Sequence, residues 1–165
     1  MVGYLDSSVL LRHILLGDEK IRKVFACAQV ISIELLEIEC RRVIHRYRLT
    51  GELDDEGFIT ASNRLSQILQ GISILILSPA VKKRAGEAFP VIIKTLDALH
   101  LSSALIFAAA RPADSLQIFS HDQGMNRCAR ALGFSTPFLD EIHQVQRSQG
   151  DLKGKTKNSD DFNTL

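Results

Sequence analysis

Two short apolar runs in this chain each end in an aspartate that opens a helix signal, and this repetition restricts the fold more than any other feature. In Gly3-Tyr4-Leu5-Asp6-Ser7-Ser8 an uncharged run delivers an acid to a helix start, and Leu116-Gln117-Ile118-Phe119-Ser120-His121-Asp122 does the same near the other end. Short apolar runs alternating with helical periodicity build a parallel sheet covered by helices. The alternation continues between them. Val9, Leu10, Leu11, Ile14 and Leu15 predict a helix ending at Gly17, with Ser7 or Ser8 as its cap. A second helix starts at Asp18 with Ile21, Val24 and Phe25 on one face, and Val30 to Ser32 is a brief strand. Leu35, Leu36, Cys40, Val43 and Tyr47 then recur at helical spacing until Thr50-Gly51.

Asp54 to Gln70 reads as a further helix with Phe58, Ile59, Leu65 and Leu69 turned inward. Ile72 to Leu77, bounded by Gly71 and Ser78-Pro79, is expected as a buried parallel strand, and Pro79 suits the first turn of the next helix. A helix from Thr95, its possible cap, to Ala110, a strand from Leu116 to Ser120 and a helix from Asp122 to Leu132 closed by Gly133 complete the pattern. The expected fold is a three-layer α/β/α arrangement with a central, mostly parallel sheet.

A chain of 165 residues suits one domain. Its apolar stretches fall short of the ~20 residues that cross a bilayer, and no basic leader precedes the opening strand, so the expectation is a cytoplasmic protein without a signal peptide or membrane contact. Cys27, Cys40 and Cys128 are odd in number and embedded in helical apolar patterns, which argues against a disulfide framework or a zinc site. A formal net charge of +1 means that any surface for a polyanion must be local. From about residue 144 the composition turns polar, which divides the chain into a domain over 1–143 and a polar tail expected to be flexible over 144–165.

The acids carry the chemistry. Asp6 and Asp122 stand at strand ends, where α/β sheets gather their ligands. Asp97 sits in the first turn of a helix inside an otherwise apolar run, and Glu39 shares a helix face with Leu35, Arg42 and Arg46. Each has an ordinary explanation when taken alone: a cap or dipole complement for Asp97 and Asp122, an ion pair with Arg42 or Arg46 for Glu39. Together they resist it, because burying such acids is costly unless a cation or donors compensate them. Glu34, Glu37, Asp54, Asp55 and Glu56 read as ordinary helix charges.

His13, His45, His100, His121 and His143 lack metal-ligand spacing. His100, one turn beyond Asp97, reads first as a packed core side chain, although it stands close enough to touch the site. No nucleophile triad and no glycine-rich phosphate loop has a recognisable context. Arg41, Arg42, His45, Arg46 and Arg48 crowd one helix and Arg12 follows the first strand, which is either a solvated face or a grip for a phosphate backbone.

Taken in order, these segments resemble the PIN domain, in particular the toxin ribonucleases of the VapBC type. The matching segments are Tyr4-Leu5-Asp6-Ser7-Ser8-Val9-Leu10-Leu11, Val30-Ile31-Ser32 with Glu39-Cys40-Arg41-Arg42-Val43, Thr95-Leu96-Asp97-Ala98-Leu99-His100-Leu101-Ser102-Ser103-Ala104-Leu105, and Phe119-Ser120-His121-Asp122 with Ala129-Arg130-Ala131-Leu132-Gly133-Phe134. The third is the most specific. Ser120 stands where the family often has threonine, and the segment after Asp122 is looser than usual. The resemblance implies an endoribonuclease dependent on Mg2+ or Mn2+, the toxin of a type II toxin–antitoxin pair, dimeric and silenced by an antitoxin protein. It implies Asp6, Asp97 and Asp122 as metal ligands with Glu39 completing the set, Ser7, Ser8 and Ser120 supporting them, and Arg12, Arg42 and Arg46 gripping RNA. An RNA-processing nuclease that is no toxin, or a binding module that keeps the fold without catalysis, would fit the same residues.

Overall fold

Side-chain alternation along the strands sorts the core into two halves, one on each face of a single sheet. In this computed structural model, which describes residues 1–139, the strands are β1 (Val2–Leu5), β2 (Gln29–Ile33), β3 (Ser73–Leu75) and β4 (Leu116–Phe119). They pair in the order β3-β2-β1-β4, all parallel, with Tyr4 beside Ile31 and Ile118. Leu5, Val30 and Phe119 point to one face, while Tyr4, Ile31, Ile33 and Ile118 point to the other.

The first face is covered by α1 (Ser7–Leu16), α2 (Ile21–Phe25), α3 (Leu35–Leu49) and α4 (Asp55–Leu69), which contribute Val9, Leu10, Ile21, Val24, Leu36, Ile44 and Leu65. Leu101, Ala104, Met125 and Cys128 cover the second face from α6 (Thr95–Ala110) and α7 (Gln123–Ala131), and α5 (Pro79–Ala85) packs on α6. The result is the expected three-layer α/β/α arrangement. All three cysteines are free and buried. Among the described residues no helix is long and apolar enough to cross a membrane. The expected tail over 144–165, and the last residues of the expected domain, lie outside the described residues.

Local signals hold where they are chemical. Pro79 occupies the first turn of α5, and Gly17 and Gly133 adopt φ of 69° and 93° just past α1 and α7, where a Cβ would be strained. Four details differ from expectation. Asp6, not Ser7 or Ser8, caps α1, with its side chain accepting from the Ser8 N–H. Lys94 precedes α6 in extended conformation without a side-chain cap, and Thr95 is its first residue. The run from Ile72 to Leu77 is parallel but lies at the sheet edge: Ile74 is 46% and Ile76 74% exposed. Apolar composition reports that a strand pairs, not that a further strand covers its outer side. Ile59, expected inward, is likewise exposed on α4.

This asymmetry is measurable. Ile31→Ala, at the fully buried centre of the sheet, is expected to cost about 2 to 5 kcal/mol in urea unfolding, whereas Ile74→Ala at the edge should change stability by less than about 0.5 kcal/mol. Equal losses would contradict the edge placement of β3.

Candidate metal and nucleic-acid site

The sheet reverses its order of growth at β1. The chain moves from β1 outward through β2 to β3, then returns to place β4 on the other side of β1. Loops leaving two neighbouring strands in opposite directions open a crevice at their carboxyl ends. Asp6 follows β1 and Asp122 follows β4, and the Asp6 N–H donates to the Phe119 carbonyl at 3.0 Å, tying the two strand ends together.

A cleft of about 1170 Å³ opens there. Its lining includes Asp6, Ser7, Ser8, Glu39, Arg42, Arg46, Asp97 and Asp122, so eight of the ten residues singled out from sequence converge on one space. Ser120 lies beneath it. Arg12 does not join the lining; its guanidinium pairs with Asp18 at 3.0 Å on the exposed side of α1. Smaller hollows beside α3 and α4 lack this concentration of acids.

Asp6 is only 6% exposed, and its position is fixed by donors. Its Oδ2 accepts from the Ser8 N–H at 3.2 Å, from the Ser8 hydroxyl, and from the Ser120 hydroxyl at 2.8 Å. Those hydroxyls are anchored in turn: Ser8 Oγ accepts from the His121 N–H and Ser120 Oγ from the Asp122 N–H, each at 2.9 Å. Beneath Ser120, the Asn126 side-chain amide donates to its carbonyl at 2.8 Å. Ser120 therefore links the carboxylate after β1 to the backbone of the acid after β4.

Glu39 reaches the cleft from α3. It makes no ion pair with Arg42 or Arg46; its Oε1 faces His100 Nε2 at 3.3 Å. Burial opposes its charge, but the hydrogen bond and charge of His100 and the Ser7 hydroxyl hold its pKa below the usual value. His100 is 1% exposed, and its Nδ1 meets the Tyr4 hydroxyl at 3.1 Å. Burial disfavours the imidazolium, yet Glu39, Asp6 and Asp97 outweigh it and raise the His100 pKa. The Tyr4 hydroxyl can donate or accept, so the ring can present Nε2 to the cleft with or without a proton.

The four acids fall into two pairs. Oxygens of Asp6 and Glu39 lie with a His100 ring nitrogen all within 4.8 Å of one another, a carboxylate–imidazole donor set suited to a divalent ion. Asp97 and Asp122 form the other half. Burial first, then the Asp122 charge, raises the Asp97 pKa. Asp122 caps α7, its Oδ1 accepting from the Met125 N–H at 2.9 Å, and its Oδ2 pairs with Lys94 Nζ at 2.9 Å. Against the cost of burial, these contacts lower its pKa.

Sequence reasoning placed His100 in the core and passed over Lys94 and Asn126. His100 is in the core and also bonded to the site. Asp97 and His100, three residues apart, share one face of α6, which was the available signal for His100; Lys94 stands just before that helix.

No family model matches the sequence, and no curated protein matches it. Among solved structures the chain is similar to the one described as VapBC2 from Rickettsia felis bound to a DNA fragment from their promoter, at 12% identity and a TM-score of 0.56, over 82% of this chain and 97% of that one. It is also similar to PAE2754 from Pyrobaculum aerophilum, at 16% identity and a TM-score of 0.53, over 88% of this chain and 90% of that one. At such identities the likeness concerns the fold, and the fold is the PIN-like α/β/α fold expected from the sequence segments.

Two measurements probe the site's internal bonds. Ser120→Ala removes a donor from buried Asp6 and an acceptor from the Asp122 N–H, and should cost about 1 to 3 kcal/mol in urea unfolding. The Glu39–His100 pair should stabilise fully only between the ordinary pKa values of its partners, 4.5 and 6.5. Its contribution is lost below that window as Glu39, whose pKa is lowered, protonates, and above it as His100, whose pKa is raised, deprotonates. The melting-temperature gap between wild type and His100→Gln should peak there; a gap independent of pH would refute the pairing.

Proposed function

We propose that the chain is a divalent-metal-dependent endoribonuclease that hydrolyses RNA phosphodiester bonds, acting as the toxin of a type II toxin–antitoxin pair. The observation that carries this reading is the convergence of Asp6, Glu39, Asp97 and Asp122, with His100, in one cleft at the switch point of the sheet. Similarity in fold to a chain of the VapBC2 structure supports the toxin assignment and an antitoxin partner.

The donor set fits a magnesium- or manganese-sized ion, which Asp6, Glu39 and His100 would hold, with Asp97 and Asp122 lining the same cleft. Such an ion, when bound, makes water more acidic and offsets charge on phosphate oxygens.

The chain's own residues supply the rest. Ser8 and Ser120 hold Asp6 rigid, so its oxygens need no reorganisation as an ion or substrate arrives. Arg42 and Arg46, exposed on the cleft wall, grip the phosphates on either side of the scissile one. A Glu39 oxygen left free by the ion site accepts a proton from the water that adds to phosphorus as the bond to the leaving oxygen breaks. Two copies associate as a homodimer in the cytoplasm, and the antitoxin silences the enzyme by covering the cleft.

Mn2+ should raise the melting temperature of the wild type as its concentration rises, and purified protein should cut RNA only with Mn2+ or Mg2+. Asp6→Asn keeps a good helix cap, so it should remain folded while cleavage falls at least about 100-fold. Cleavage that persists in chelator, or survives Asp6→Asn, would overturn the assignment.

A further inference from the structure

Among the described residues, Lys94 is the lysine whose ammonium pairs with an acid of the cleft. It occupies the residue before α6, and its ammonium meets Asp122 Oδ2 at 2.9 Å. The other oxygen of Asp122 is taken by the Met125 N–H, so both carboxylate oxygens are engaged by the protein itself. At Asp6, by contrast, all three hydrogen bonds fall on Oδ2, and possible ligand atoms of Asp6, Glu39 and His100 lie within 4.8 Å of one another. One half of the cleft is arranged to receive a cation from outside. The other half already contains one.

We propose that Lys94 is the resident cation of the Asp97–Asp122 half of the cleft, so that the protein loads a single divalent ion, at Asp6, Glu39 and His100. An exposed ion pair is weak when isolated, and the Lys94 side chain is 78% exposed. This one is not isolated: Asp122 lines the same cleft as Asp97 and Asp6. Two ions in such sites sit ~3.5 to 4 Å apart and share bridging carboxylates. An ammonium on Asp122 occupies one of the oxygens that a second ion would need. Lys94 then offsets carboxylate charge there, as a point charge on a flexible stem.

The inference rests on the metal-dependent reading above, and titration calorimetry with Mn2+ separates the two, with Mn2+ paramagnetic resonance to report coupled ion pairs. Wild type should bind one ion per chain with no coupled-pair signal, and Asp6→Asn should abolish binding. Lys94→Met removes the ammonium and keeps the stem's apolar bulk, so a second ion should bind and the coupled-pair signal appear. Lys94→Arg, which keeps the charge, should stay at one ion. Two ions in wild type, or one ion in Lys94→Met, would overturn the role of Lys94 while leaving the metal site intact. No Mn2+ bound by wild type would overturn both.

Discussion

A carboxylate buried where two parallel strands end is the constraint on which the rest of this structure depends. Removing an ion such as Asp6 from water costs several kcal/mol unless donors replace the lost hydration. The protein supplies them from both sides of the switch point: Ser8 from the first turn of α1 and Ser120 from the end of β4. Each hydrogen bond to a charged group recovers about 1.5 to 3 kcal/mol, so the network approaches compensation only while β1 and β4 stay in register. The same network that makes the acid tolerable therefore fixes the crevice.

Stability and reactivity meet in the adjoining pair. Glu39 and His100 come from helices on opposite faces of the sheet, α3 and α6, and meet in the cleft. Tyr4 secures the ring from inside β1, fully buried, with its hydroxyl on Nδ1. A half-satisfied buried polar group would destabilise the core; here the core face of the sheet and the floor of the cleft are joined through one imidazole. The side chains that face the cleft are therefore held in place by the protein's own hydrogen bonds.

Much of this was legible from residues. The short uncharged apolar runs of Val2 to Leu5 and Leu116 to Ser120, together with helical spacing elsewhere, identified the elements, because strands of a parallel sheet are buried on both faces. Asp6, Glu39, Asp97 and Asp122 stood out as acids in apolar surroundings, and the cleft gathers all four. Arg12 lies outside the cleft lining, since a sequence shows that a cation follows a strand but not which neighbour claims it; Asp18 does. β3 was read as buried because apolar composition cannot reveal whether another strand lies beyond it.

The chain's order of residues determined which segments become strands and helices, where Pro79, Gly17 and Gly133 stop or start them, and which carboxylates fall at strand ends, since those outcomes depend on local sterics and periodicity. Tertiary structure alone decided that β4 returns to the side of β1, that Ser120 reaches Asp6 across 114 positions, and that Glu39 finds His100 rather than Arg42 or Arg46. Those pairings depend on distances between elements far apart in order. Their strength comes from a low-dielectric floor that exists only once both helical layers have closed over the sheet.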